Sequence, residues 1–179
     1  MWRATRLPRP RPTGTGTIGH EALQPVLDAL ANGGVPALQP MGTELADYLR
    51  ELSRVDPDTL SRDQALAYWV NFYNAQALQL VRKAYADGGG SVLDVKHAFE
   101  RRPARAVAGR LSLLEIESGK IRRFGDPRIH FALVCGSASC PTLRFEPYAG
   151  TLINSQLDDQ ARHFQIRTQP GFAVFPRGG

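Results

Sequence analysis

Apolar positions along the chain fall first into helical stripes and only later into short continuous runs. Leu23, Val26, Leu27 and Leu30 recur at helical spacing over 21–31, and Asn32-Gly33-Gly34 is expected to stop that helix. Leu45, Tyr48, Leu49 and Leu52 predict a second helix with Thr43 as its N-cap. The strongest stripe starts after Ser61. Leu66, Trp69, Val70, Tyr73, Ala77, Leu80, Val81 and Ala84 share one face, and Asp87-Gly88-Gly89-Gly90 ends the helix near Ala86. Ser61 with Gln64, and Ser112 with Glu115, have the spacing of capping boxes, the second opening a helix with Ile116, Ile121 and Phe124.

Between these lies a short connecting element at 91–97, then a strand or hairpin arm at 104–108 that turns at Gly109. The run 129–135 is rich in β-branched and aromatic residues and reads as an inner strand. Asp126-Pro127 marks a turn before it, and Gly136-Ser137-Ala138-Ser139 breaks regular structure after it. A helix at 151–164 is expected to turn Leu152, Leu157, Ala161 and Phe164 inward. The stretches 165–168 and 172–175 flank Gln169-Pro170-Gly171 as a terminal hairpin. These elements describe a single α+β domain over 20–179, helices followed by a small, mostly antiparallel sheet. Residues 1–19 are Arg-, Pro-, Gly- and Thr-rich and are expected to be disordered.

Charge narrows the partners. Of the formal +5, Arg3, Arg6, Arg9 and Arg11 supply four, which leaves little excess for the folded body and makes nucleic acid an unlikely partner. Between Lys96 and Arg128 nine Lys/Arg face four acids. That excess reads either as a solvated face or as a field drawing an anionic ligand. No apolar run reaches the length of a membrane span, and Pro8, Pro10 and Pro12 stand where a signal peptide would carry its apolar core. Two cysteines four residues apart make neither a disulfide framework nor a zinc set, so neither metal nor cofactor is called for, and the expected compartment is cytoplasmic.

The chemistry gathers where the 129–135 run meets its loop. Cys135 ends an apolar run and is expected to be buried. Cys140 stands before Pro141, at a candidate helical N-cap where unpaired N–H groups favour a thiolate, so Cys140 is preferred as the reactive thiol. Cys135 is then a resolving or structural partner, with the converse open. His130, at the head of the expected strand, can act as base for a thiol on an adjacent loop. Strand parity puts it opposite Cys135, a further argument for Cys140. Glu117, Asn71 or Asn74 could orient the imidazole. His20, His97 and His163 have no comparable context and are read as surface residues. Asn71 and Asn74, three apart beside an apolar stripe, are poor helix formers in a strong helix. They either tie down loops or take part directly in a site.

Trp69-Val-Asn-Phe-Tyr-Asn74, Leu111-Ser-Leu-Leu-Glu-Ile-Glu117 and His130-Phe-Ala-Leu-Val-Cys-Gly-Ser-Ala-Ser-Cys-Pro141 occur in that order. Together they resemble the domain of unknown function 547 family over about 61–164. The resemblance implies that these three blocks converge on one site. Trp69, Asn71, Tyr73 and Asn74 would then meet ligand from the helix, and Ser137 and Ser139 from the loop. A relation to papain- and transglutaminase-like thiol enzymes follows only by analogy, from a His-led strand beside a thiol. Two departures stand out. Similar sequences often have histidine after the Ile-Glu pair, where this chain has Ser118, so His130 would have to serve as base. They also tend to continue into a longer tail with another tryptophan, so one edge of the domain is expected to be closed differently.

Three function classes remain. One is a cysteine-dependent hydrolase or transferase acting on a small molecule or peptide, with Cys140 attacking, His130 taking its proton and loop N–H groups holding the oxyanion. Another is a non-catalytic module whose loop amides and asparagines receive a small-molecule or peptide ligand. The third is a thiol redox protein, which requires the two cysteine Cα atoms to lie within about 7 Å.

Overall fold

The computed structural model describes residues 7–89, 92, 95–107, 109–134 and 141–166. Among the described residues are five α-helices and a two-stranded antiparallel sheet, a single α+β domain: α1 (Gln24–Ala37), α2 (Gly42–Leu52), α3 (Arg62–Ala86), β1 (Ala104–Ala106), β2 (Gly109–Leu111), α4 (Leu113–Gly119) and α5 (Ile153–Ile166). Each of the other four helices packs against α3. The amphipathic reading of α3 understates its burial, for it is covered on nearly all sides, from Gln64 to Leu78 without a break. A helix surrounded in this way relies on partners inside the protein for most of its buried polar side chains.

Local signals placed the helix starts unevenly. The Ser112 box forms: Ser112 Oγ accepts from Glu115 N–H at 3.2 Å, and Glu115 Oε2 accepts from Ser112 N–H at 3.0 Å. Ser61 is the N-cap of α3 but makes no side-chain capping bond. Gln64 instead accepts from Ile18 N–H at 3.3 Å, so a tertiary contact claims the group the box needed. The N-cap of α2 is Met41, not Thr43, which lies inside the helix. Asn32-Gly33-Gly34 kinks α1 rather than ending it. Gly34, at φ 64°, makes the break, and Val35-Pro36-Ala37 resumes helical turns beyond.

The hairpin forms with Ala106 opposite Gly109 and Ala104 opposite Leu111. The expected inner strand does not. Pro127–Phe131 is a 3-10 helix, with Asp126 Oδ1 accepting from Arg128 N–H and Pro127 in the first turn, and residues 132–134 are irregular. Asn74 takes the Ala132 carbonyl and the Val134 N–H, backbone groups that a sheet neighbour would otherwise have satisfied. On α5, Leu157 is buried as expected, whereas Leu152 and Phe164 are exposed and Ala161 is half-buried. Ile153, Gln156 and Gln160 supply the rest of the inner face. Residues 165–166 continue the helix instead of opening a hairpin, and the remainder of that expected hairpin lies outside the described residues.

Residues 7–19, expected to be unstructured, lie along the start of α3. Arg11 N–H donates to Asp58 Oδ1 (2.8 Å), Gly16 N–H to the Thr59 carbonyl (3.1 Å) and Ser61 N–H to the Gly16 carbonyl (3.1 Å). At Gly14 a Cβ would run into the Thr59 carbonyl, so this close backbone approach requires glycine. Lys120 joins the strap to the core: Nζ donates to the Pro8 carbonyl at 3.0 Å and sits 5.6 Å from the Trp69 ring centroid. Burial lowers the Lys120 pKa, with Asp58 opposing. Among the described residues no helix is long and apolar enough to cross a membrane.

Candidate functional site

The asparagine pair on α3 acts as two backbone clamps. Asn71 Nδ2 donates to the Tyr148 carbonyl at 2.7 Å, and its Oδ1 accepts from Tyr148 N–H at 2.9 Å. Asn74 Nδ2 donates to the Ala132 carbonyl at 2.9 Å, and its Oδ1 accepts from Val134 N–H at 3.1 Å. Both amides are buried and spend a donor and an acceptor on main chain, so both tie down loops. Gln160 on α5 adds a third clamp, donating through Nε2 to the Thr142 carbonyl at 2.8 Å and the Phe131 carbonyl at 3.2 Å. Segments 131–134 and 141–142 are therefore held by buried amides from α3 and α5. Cys135, Ser137, Ser139 and Cys140, which lie between those segments in sequence, are outside the described residues.

The other expected site residues among those described are placed as follows. His130 lies on the 3-10 helix, exposed, and not at the mouth of a strand. Glu117 on α4 binds Arg122, accepting from Nη2 at 2.6 Å and Nε at 3.1 Å, and makes no bond to His130. Tyr73 is buried. Burial pushes its phenol up, nearby Glu117 pushes it further and Arg122 opposes, so it is a neutral hydroxyl. Trp69 stacks edge-on with Tyr68, at 5.0 Å between ring centroids, and Phe72, at 6.0 Å. Its Nε1–H is buried with no hydrogen-bond partner among the described residues. Trp69 is thus packed in the core with Lys120 against its ring.

Four of the nine basic residues at 96–128 are engaged internally. Arg102 pairs with Glu115, Arg122 with Glu117, and Arg128 with Asp126 (2.6 Å) and Asp158 (2.7 Å). Lys120 is buried over Trp69. Arg128 fastens the 3-10 turn to α5 and, through its hydrogen bonds, holds the Asp126 carboxyl below the usual carboxylate range. On Glu115, burial pushes the pKa up, but the Ser112 N–H and Arg102 outweigh it and the net value is low.

A cavity of about 490 Å³ opens between 142–146 and α5, lined by Thr142, Arg144, Asp159, Gln160 and His163 among others. Arg144 bridges its two sides, bonding Asp159 Oδ2 at 2.5 Å and Glu146 Oε2 at 2.9 Å. His163 Nε2 stands 3.9 Å from Asp159 Oδ1. The Tyr148 hydroxyl is buried without a partner among the described residues. Burial raises its pKa, with Arg144 opposing and Asp159 adding. His163 is exposed, as the sequence suggested, but it has a cavity and a carboxylate that the sequence did not reveal. The missed signal for Gln160 was Gln156 and Gln160, four apart beside Leu157, the same kind of polar intrusion that singled out Asn71 and Asn74. Among the described residues no three His, Cys, Asp or Glu side chains stand close enough to hold a metal ion.

No curated protein and no solved structure matches the chain. The family model described as "Protein of unknown function, DUF547" matches residues 57–164. That span takes in α3 with its two clamps, the α4 capping box, the clamped segments and most of α5. With well over half of its length matched, this chain belongs to the DUF547 family.

Proposed function

We propose that the 135–140 loop carries a thiol-centred site, with Cys140 as nucleophile toward an amide or ester of a small molecule or peptide. The observation that supports this reading is the clamping of both flanking segments by buried Asn74 and Gln160. A nucleophile is effective only when its approach geometry is held, which calls for fixed segments on either side of it. In this reading the Cys140 sulfur forms a bond to the substrate carbonyl carbon, and the thiol proton passes to an imidazole. The imidazole returns the proton to the leaving amine or alcohol, and water then cleaves the thioester. His130 is one candidate for the imidazole. His163 is favoured by the cavity it lines beside Thr142, two residues after Cys140, and by Asp159 at 3.9 Å.

A non-catalytic module is the second reading, favoured by Glu117 being engaged with Arg122 and unbonded to His130. Iodoacetamide labelling against pH, read by mass spectrometry at each cysteine, separates the two. Expected is a Cys140 that alkylates faster than glutathione at pH 7, with its rate profile moved to higher pH by His163→Ala or by His130→Ala. Both histidines are exposed, so either change should leave the fold intact. If neither cysteine outpaces glutathione, nucleophilic catalysis is excluded and the binding reading stands.

A further inference from the structure

Opposite the clamps, α3 borders a second concavity, lined by none of the residues in the three sequence blocks 69–74, 111–117 and 130–141. Gln76, Gln79 and Lys83 lie roughly half a turn around the helix from Asn74. They line a groove of about 720 Å³ whose other walls come from α2 and from Pro103 and Arg105 at the hairpin. We propose that this groove binds a small amphiphilic anion, a carboxylate or phosphate ester carrying an apolar body.

Charge is the first argument. Arg50, Arg82, Lys83 and Arg105 line the groove against one carboxylate, Asp87, which Lys83 already neutralises at 2.8 Å. Arg50 has Asp47 at 2.6 Å, but among the described residues neither Arg82 nor Arg105 has a carboxylate partner. Arg82 is posted in place by its neighbour: Nε donates to the Gln39 carbonyl at 3.0 Å, and Gln39 Nε2 returns a bond to the Arg82 carbonyl at 3.3 Å. Its terminal amino groups remain as a fixed fork, which suits a carboxylate or phosphate.

A second, independent observation concerns Gln76. It is only 7% exposed, yet its side-chain amide has no hydrogen-bond partner among the described residues, and its remaining exposure faces the groove. Every other buried amide noted on α3 and α5 is committed to main chain. An amide at a groove wall that is not committed to main chain can donate to or accept from a ligand that displaces water there. The floor between these polar groups is apolar, made by Leu49, Leu80 and Pro103, which calls for more than a bare inorganic ion.

The test is displacement of 8-anilinonaphthalene-1-sulfonate fluorescence from the full chain by octanoate, octyl phosphate, octanol and inorganic phosphate. Expected is displacement by octanoate and octyl phosphate at concentrations at least about tenfold below those needed for octanol or inorganic phosphate. Arg105→Glu, an exposed strand position, should weaken octanoate at least about tenfold with an unchanged circular dichroism spectrum. Arg162→Glu makes the same charge change on α5, away from the groove, and should leave displacement as it was. Octanol acting as well as octanoate, Arg105→Glu without effect, or Arg162→Glu weakening octanoate equally would each overturn the proposal.

Discussion

His20 carries the clearest consequence of a single side chain. Apolar neighbours give no hint of it in the sequence, where it reads as a surface residue, yet it is 4% exposed with Nδ1 2.8 Å from the Tyr48 hydroxyl. Burial lowers its pKa to about 4, and Glu21 only partly opposes this. The sign follows from the unfolded chain, whose imidazole takes up a proton near 6.5 while the folded one stays neutral. Stability from this neutral His20 is full above pH 6.5 and is lost as pH falls toward 4, by about 3 kcal/mol in all. Urea unfolding at pH 7.5 and pH 5 should record much of that loss. His20→Gln should flatten the difference. The lowered carboxyls of Glu115, Asp126 and Asp159 give up their stabilisation at still lower pH, so the two windows separate.

At the scale of elements, α3 is less a face of the protein than a rail from which loops hang. Asn71 and Asn74 were legible as an anomaly, two poor helix formers in a strong helix. That their partners are Tyr148 and the 132–134 segment was not legible, because 77 and 58 residues separate the bonded groups. Alanine at either position orphans two buried backbone groups, at about 1–3 kcal/mol for each. The two variants should differ in reach. Asn74→Ala is expected to change the iodoacetamide rate at Cys135 and Cys140, since it frees the 132–134 segment. Asn71→Ala should cost similar stability in a denaturant melt but leave those rates close to wild type. Equal effects of both on labelling would show that the loop responds to general destabilisation and not to its own clamp.

Across the whole molecule, the N-terminal strap alters how the domain is closed. Composition made 7–19 look unstructured, since three prolines and several glycines bury little surface by themselves. Glycine is what admits the strap, because it allows the backbone at 14 and 16 to approach Thr59 closely. Gly14→Ala should detach it, seen as faster amide exchange at Gly16 and Ser61 and faster proteolysis within 7–19, with the helical core intact. If exchange at Gly16 and Ser61 were unchanged, the strap would not depend on that contact. Its loss would also uncover Lys120, whose Nζ now has the Pro8 carbonyl and the Trp69 ring as surroundings.

Sequence by itself determined the helices, the hairpin and the family. Periodicity, caps and a signature in order are local properties, and the Ser112 box forms from four consecutive residues. Tertiary structure alone decided that Gln64 would serve the strap and not a capping box, and that 129–134 would be clamped and not paired in a sheet. It also decided that Gln160 would reach the carbonyls of both Phe131 and Thr142. The physical reason is common to all three. A polar group satisfies its hydrogen bonds with whatever the folded chain brings within about 3 Å, and residue spacing says nothing about a partner dozens of positions away.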